Sequence, residues 1–113
     1  MNANLAVAAA PRRREILRLV WDRERAAGEI AAEMRDVTFG AVSQHLALLV
    51  REGLVSRRAE GRRRFYAARK AALEPLRTWL ESSWDDALAR LKTRAEIEAA
   101  RRGPRSKRKR RNP

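Results

Sequence analysis

The sequence has no cysteine and a single histidine, His45, among its 113 residues. The absence of cysteine excludes disulfides, zinc-ribbon sites and thiol catalysis, and it fits a reducing cytosol. One histidine cannot build a multi-histidine metal site. The sequence also lacks a nucleophile–base pair and a phosphate-binding glycine loop, so we expect no enzymatic activity, no metal and no cofactor.

Long hydrophobic runs are missing as well. No stretch of 18 apolar residues occurs, which predicts that the chain has no transmembrane helix and no membrane partner. The apolar segment Met1 to Ala10 is short and has no basic segment before it, so we do not expect a secretory signal.

Positive charge is the strongest feature of the composition. Lysine and arginine number 27 against 14 acidic residues, a net charge of +13, and such a charge favours nucleic acid or an anionic membrane surface. The segment Arg101 to Pro113 holds eight of the basic residues and no acid, which leaves 19 basic and 14 acidic residues elsewhere. We therefore expect a disordered basic tail over 101–113 and a cytoplasmic, nucleoid-associated protein.

The spacing of apolar residues predicts one longer helix and two short ones before residue 35. Pro11 fits the first position of a helix that continues over Arg12 to Glu24, with a short helix around Leu5 before it. After a break at Ala27-Gly28, a short helix over Glu29 to Met34 follows.

The next helix carries the clearest end signals. Thr38 is predicted to cap its N-terminus and Gly53 to end it in the left-handed conformation. Its buried stripe is predicted to comprise Val42, Leu46, Leu49 and Val50. Two helices joined by a tight turn, the second one capped, are typical of a helix-turn-helix.

A β-hairpin is predicted directly after this helix. Its strands are Leu54 to Ala59 and Arg63 to Ala67, around the turn Glu60-Gly61-Arg62. We interpret the hairpin as a wing, and a purely structural hairpin is the alternative. Its arginines are Arg57, Arg58, Arg62, Arg63 and Arg64. Strand alternation places Arg62 and Arg64 on one side and Arg63 on the other, with Arg62 the best candidate for a phosphate or minor-groove contact.

Helical spacing returns from Ala71 to about Ala100. A helix of this length, about 40 Å, is too long for a small core to cover, so we expect it to pack against its copy in a homodimer. The alternative is a helix bent over its own domain. The predicted dimer contacts are Leu5, Leu73, Leu76, Trp79, Leu80, Trp84, Leu88 and Leu91.

The predicted architecture is mainly α with a small β-hairpin: a winged helix-turn-helix over 1–70 and a dimerisation helix over 71–100.

The exposed face of the capped helix is the candidate for reading DNA bases. It is predicted to present Gly40, Ser43, Gln44 and Ala47. Gln44 can pair with adenine through two hydrogen bonds, worth about 1–3 kcal/mol of discrimination, and Ala41 can touch a thymine methyl.

Phe39 either packs in the core or faces DNA, and we favour the core. We interpret His45 as a partly buried packing residue or a phosphate contact rather than a pH sensor.

Several runs of residues together resemble the ArsR-type (ArsR/SmtB) winged-helix repressors. They are Gly28-Glu29-Ile30-Ala31, Val42-Ser43-Gln44-His45-Leu46, Leu49-Val50-Arg51-Glu52-Gly53-Leu54-Val55, Glu60-Gly61-Arg62 and Phe65-Tyr66. The resemblance implies a homodimeric repressor that binds double-stranded DNA at an imperfect palindrome near a promoter. It implies DNA contacts from Thr38, Gly40, Ala41, Ser43, Gln44 and the wing tip Arg62. Arg58, Arg63 and Arg64 complete the predicted DNA-binding set.

Two departures from the family pattern affect the interpretation. Gly40 and Ala41 stand where relatives commonly have polar residues, which keeps a sequence-tolerant architectural DNA-binding protein as the alternative function. Many relatives bind metals through cysteines or through carboxylates and histidines on the last helix. This chain offers there only the pair Asp85 and Asp86, which we interpret as solvent-facing, so the resemblance favours the metal-independent branch.

Overall fold

The computed structural model describes the backbone of residues 3–102 and most side chains from residue 5 to residue 100. One compact unit ends at Leu80 and a second begins at Glu81. In chain order the elements are α1 (Ala3–Val7), α2 (Pro11–Leu19), β1 (Arg25–Ala26), α3 (Ala27–Glu33), α4 (Phe39–Arg51), β2 (Val55–Glu60), β3 (Arg63–Ala68), α5 (Lys70–Leu73), a 3-10 helix (Glu74–Leu76) and α6 (Arg77–Arg102).

Helix α2 begins at Pro11, as predicted, because proline needs no backbone donor in the first turn. The predicted end at Glu24 is wrong, since the helix stops at Leu19. The carbonyl of the next residue, Val20, accepts the N–H of Ala68 at 3.0 Å. This contact with the end of β3 turns the chain away from the helix axis and toward β1.

The start of α3 also differs from the prediction. Ala27 and Gly28 form its first turn and are not a break before it. The carboxylate of Glu29 accepts the backbone N–H of Ala26 at 2.9 Å, which satisfies one donor that the helix itself leaves without a partner. The helix therefore begins at Ala27, two residues before the predicted start at Glu29.

Both predicted ends of α4 are confirmed. Thr38 Oγ1 accepts the N–H of Ala41 at 3.0 Å, and Gly53 has a φ of 77°. The N–H of Leu54 bonds to the carbonyl of Leu49 at 2.9 Å and that of Gly53 to Val50 at 3.0 Å, which is the Schellman arrangement. The recognition helix of the predicted helix-turn-helix is thus fixed at both ends.

The three strands form an antiparallel sheet in the order β1-β3-β2. The predicted hairpin β2–β3 is confirmed, but its turn is shorter than predicted: Glu60 is the last residue of β2 and pairs with Arg63, and Gly61 in the turn has a φ of 62°. Strand β1 was not predicted, because it is only two residues long and Arg25 pairs with the distant Tyr66. Pairing over that separation leaves no local pattern in the sequence.

The core of the first unit contains Val42, Leu46 and Leu49 of the predicted stripe together with apolar residues from other elements, whereas Val50 is only half-buried. Ile16, Leu17, Ile30, Met34, Val42, Leu46, Leu49 and Leu54 are among its fully buried side chains. Leu73 and Leu80 are also 0 % exposed, and Leu5 is buried. The expectation that these three leucines contact a second subunit is therefore corrected, since their surface is already covered within the chain.

The predicted uninterrupted helix from residue 71 is interrupted at its start. Pro75 lacks a backbone N–H, and Glu74–Leu76 form a 3-10 helix between α5 and α6. Helix α6 then continues for 26 residues. The termination predicted at Gly103-Pro104 and the basic segment after it lie outside the described residues.

Candidate DNA-binding surface

Helix α4 separates its residues into a buried side and an exposed side. Val42, Leu46 and Leu49 face the core and are fully buried. On the opposite side Gly40, Ser43, Gln44 and Ala47 are exposed, while Ala41 is half-buried. The exposed side is the one predicted from the helical period, and it offers the hydroxyl and amide groups that hydrogen-bond to base edges.

Phe39, the first residue of α4, lies on the surface. Its exposed fraction is 57 %, so the interpretation that it packs in the core is wrong. The stripe of α4 begins only at Val42, and Thr38 caps the helix beside the ring. A phenylalanine at the exposed end of the recognition helix was missed because its hydrophobicity alone favoured the interior.

Three consecutive arginines of α2 are engaged inside the first unit. Arg12 forms ion pairs with Asp36 and, at 3.6 Å, with Glu15. Arg13 donates from Nε to the carbonyl of Val7 at 2.6 Å. The guanidinium of Arg14 lies 5.3 Å from the ring centroid of Trp79, a cation–π distance. These arginines connect α2 to neighbouring segments.

His45 lies between the exposed and the buried side of α4 and is half-buried. Its Nδ1 is 3.3 Å from Nη1 of Arg13. Burial and then the positive charges of Arg13 and Arg12 lower the pKa of His45 below its ordinary value. The neutral imidazole can accept a hydrogen bond from Arg13, so His45 acts as a partly buried packing residue that connects α4 to α2.

The hairpin presents two faces. Arg63 lies 5.0 Å and Arg58 lies 4.6 Å from the ring centroid of Phe65, and Arg58 is opposite Phe65 in the register. These three residues therefore share one face, and Arg64 lies on the other because strand side chains alternate. The opposite placement of Arg63 and Arg64 agrees with the prediction. Arg62 lies in the turn and is exposed.

Arg58 differs from the other arginines of the hairpin. It donates from Nε to Glu24 at 3.3 Å and from Nη1 to Glu60 at 2.9 Å. These hydrogen bonds raise the pKa of Arg58, and the bond from Arg58 lowers the pKa of Glu24. Glu24 lies just before β1, so the pair connects the wing to the rest of the sheet. No sequence pattern indicated Glu24, because it is 34 positions from its partner.

The remaining residues predicted for a dimer interface are exposed to different degrees. Trp79 is 45 % and Leu88 is 55 % exposed, while Leu76 and Trp84 are half-buried. The side chain of Leu91 lies outside the described residues. Trp79 and Leu88 leave large apolar surfaces that a partner can cover.

Neither a metal site nor a membrane segment is found in the part of the chain that the structure describes. Among the side chains that the structure describes, no group of three histidine, aspartate or glutamate residues lies close enough together to bind a metal ion. Across the same residues, every helix is too short or too polar to cross a bilayer.

Comparison with known proteins places this fold among bacterial regulators. Residues 10–57 match the model of the family described as bacterial regulatory protein, arsR family. This match covers the two helices of the helix-turn-helix and reaches the first residues of β2.

Relatives extend the match to most of the chain. The transcriptional activator HlyU of Vibrio cholerae is 40 % identical over 62 residues, 55 % of this chain and 56 % of HlyU, so the alignment spans about half of that protein. Its solved structure superimposes with a TM-score of 0.62 at 32 % identity, over 71 % of this chain and 86 % of HlyU.

Two further solved structures of regulators are similar to this chain. A possible transcriptional regulator for arsenical resistance has a TM-score of 0.62 and 36 % identity, covering 82 % of this chain and 96 % of that protein. The homodimeric winged helix-turn-helix DNA-binding domain Mb0332 of Mycobacterium bovis has a TM-score of 0.61 and 30 % identity, covering 76 % of this chain and 80 % of that domain. Because the chain has a capped α4 and an arginine-rich hairpin, and because it covers 80 to 96 % of these three solved relatives at 30 to 36 % identity, it is a winged helix-turn-helix protein and belongs to the ArsR family of bacterial regulatory proteins.

Proposed function

We propose that the chain binds double-stranded DNA and regulates transcription, with α4 in the major groove and the hairpin on the adjacent backbone. The observation that carries the proposal is the division of α4 into a fully buried side and an exposed side with Ser43 and Gln44. A helix-turn-helix uses such a helix to read bases. Thr38, Gly40 and Ala41 lie at its N-terminal end. Arg62, Arg63 and Arg64 are exposed on the hairpin and supply the charge for phosphate contacts.

The proposed binding unit is a homodimer. Two observations support it: the apolar surfaces of Trp79 and Leu88 are exposed in the single chain, and the Mycobacterium bovis relative is homodimeric. Two symmetric copies of α4 would read two half-sites about 34 Å apart, which requires a palindromic operator.

Selection of binding sites from randomised duplexes tests this proposal directly. We expect an enriched palindrome that binds at least about 1,000-fold more tightly than random DNA at physiological salt. A footprint of the enriched duplex should then protect two half-sites one helical turn apart. Equal affinity for selected and random duplexes would refute sequence-specific binding.

The proposed effect on transcription is repression through occupancy of the promoter. The Vibrio cholerae relative is named as an activator, so the direction has to be measured on this protein. In a run-off assay with bacterial RNA polymerase and a promoter that contains the selected palindrome, transcript should fall as the protein is added. A rise in transcript would replace repression by activation and leave the DNA-binding proposal intact.

A sequence-tolerant architectural role is the second candidate. The observation in its favour is that Gly40, Ala41 and Ala47 give the exposed side of α4 few polar groups. Deletion of residues 103–113 separates the two functions. A sequence-specific regulator keeps its preference for the palindrome, and its salt dependence becomes shallower by about 0.9 for each phosphate that the shortened chain no longer neutralises. An architectural protein that depends on this basic segment loses most of its affinity for every sequence.

A further inference from the structure

The exposed ring of Phe39 has no role in the core, and its position suggests one on DNA. Phe39 is the first residue of α4 and is 57 % exposed. The hydrogen bond from Ala41 N–H to Thr38 Oγ1 fixes the helix start at this point. The N-terminal end of a recognition helix is the part that reaches base edges in the major groove. A role for Phe39 there rests on the proposed function.

The residues around Phe39 leave its ring as the dominant feature of the first turn. Gly40 has no side chain, and a Cβ added there would meet nothing closer than Thr38 Oγ1 at 4.0 Å. Ala41 has only a half-buried methyl group. Thr38 Oγ1 already accepts a backbone hydrogen bond. The polar side chains Ser43 and Gln44 follow one turn later, so the two turns present different chemistry to a groove.

The major groove offers one prominent apolar group to such a surface. Among the unmodified base pairs, only those with thymine display a methyl group, on C5, and aromatic side chains contact it favourably. A phenyl ring has no hydrogen-bond donor for a phosphate oxygen or for the acceptors of guanine. We propose that Phe39 makes this chain selective for a 5-methylpyrimidine, thymine or 5-methylcytosine, at one position of each half-site, beside the position contacted by Gln44.

The test compares duplexes that differ by single methyl groups. Starting from the selected palindrome, each symmetric pair of thymines is replaced by uracil, and affinities are measured by fluorescence anisotropy. At one symmetric pair, wild-type affinity should fall about fourfold per methyl group removed, the factor that corresponds to burial of one such group. The Phe39→Ala variant should bind the thymine and uracil duplexes equally.

Two further variants control the comparison. Gln44→Ala should weaken binding of the palindrome but keep the full methyl effect, because it leaves the ring in place. Phe39→Leu should retain part of the effect. Since Phe39 is exposed, we expect both Phe39 variants to keep the wild-type circular dichroism and thermal midpoint. Should Phe39→Ala fail to fold, the comparison of Phe39→Leu with wild type carries the test.

The two sources of the methyl group are separated by replacing the sensitive thymine with cytosine and with 5-methylcytosine. Affinity for 5-methylcytosine at the thymine level assigns the methyl group itself as the recognised feature, and affinity at the cytosine level restricts the contact to thymine. Insensitivity of the wild type to every uracil replacement, or a full methyl effect in Phe39→Ala, would overturn the inference while the selected palindrome still supports the proposed function. Failure to select any sequence overturns both.

Discussion

The basic run Arg12 to Arg14 shows why charge in a sequence does not by itself locate a DNA contact. Arg12 pairs with Asp36, Arg13 bonds to Val7 and contacts His45, and Arg14 lies over one face of the Trp79 ring. Their guanidinium groups serve the packing of α2 against its neighbours. The exposed arginines of the hairpin are consequently better candidates for phosphate contacts than those of α2.

Gln44 and Arg62 should respond differently to truncation. Gln44→Ala should reduce affinity for the selected palindrome by about five- to 100-fold and leave affinity for random DNA unchanged, because an amide pairs with a particular base. Arg62→Ala should lower the affinity for the palindrome and the affinity for random DNA by similar factors, because a phosphate contact carries no sequence information. Competition titrations with selected and random duplexes measure both ratios. Unchanged affinity of Gln44→Ala for the palindrome would contradict the placement of Gln44 at the bases.

His45 should make the domain less stable in mild acid. Its pKa is lowered in the folded state by burial and by Arg13 and Arg12, so the unfolded chain takes up the proton first. The stabilisation is complete above the ordinary histidine pKa of about 6.5 and is lost as the pH falls below it toward the folded value.

Urea unfolding at pH 7.5 and at pH 5.5, followed by tryptophan fluorescence, measures this loss. His45→Gln, which cannot be protonated, should show a smaller fall in the free energy of unfolding between the two pH values than wild type does. An identical fall in both proteins would assign the pH dependence to other groups.

Among the helices and strands, the features that could be predicted from the sequence are those set by neighbouring residues. Thr38 and Gly53 define the ends of α4 because capping chemistry acts over a few positions. The early end of α2, strand β1 and the pairing of Glu24 with Arg58 depend on residues far apart in the chain. No periodicity encodes such contacts.

The candidate DNA-binding surface could likewise be predicted only where neighbouring residues determine it. The exposed side of α4 follows from its helical period, whereas the exposure of Phe39 depends on where the core ends. The interruption at Pro75 is a local feature that periodic leucines around it concealed. Arg58 could be placed on the hairpin from the sequence, but its acidic partners could not.

The ion pair between Glu24 and Arg58 should stabilise the attachment of the hairpin to the segment before β1. Glu24→Gln should lower the urea midpoint of the wild type but not that of Arg58→Ala, because the ion pair is then already absent. Glu33→Gln, an exposed acid on α3, is the matched control for the loss of one negative charge. Equal effects of Glu24→Gln in both backgrounds would show that the pair contributes nothing to stability.

Substitution of two leucines of α6 should separate the folding of the chain from its association into a dimer. Leu80 is fully buried in the first unit, whereas Leu88 is 55 % exposed in the single chain. Leu80→Lys should unfold the domain, because it places an unpaired charge in the core. Leu88→Lys should leave the monomer folded, dissociate the dimer and abolish tight binding of the palindrome.

Analytical ultracentrifugation and circular dichroism distinguish the two effects. Wild type should sediment as a dimer at micromolar concentration and Leu88→Lys as a folded monomer. Ser82→Lys, which adds one positive charge at an exposed residue of the same helix, controls for the charge that Leu88→Lys introduces. A dimer that survives Leu88→Lys would place the association surface elsewhere on the chain.

The close junction between α4 and β2 limits how this protein can acquire new targets. Gly53 ends the helix, and after Leu54 the chain is already in the sheet. In the proposed complex, the base pairs under α4 and the phosphates under the hairpin are consequently held at one separation by the backbone itself. During evolution, target sites can then vary in the bases of each half-site and in the length of the spacer between the half-sites. A base pair inserted within a half-site would instead move either the bases out of reach of α4 or the phosphates out of reach of the hairpin.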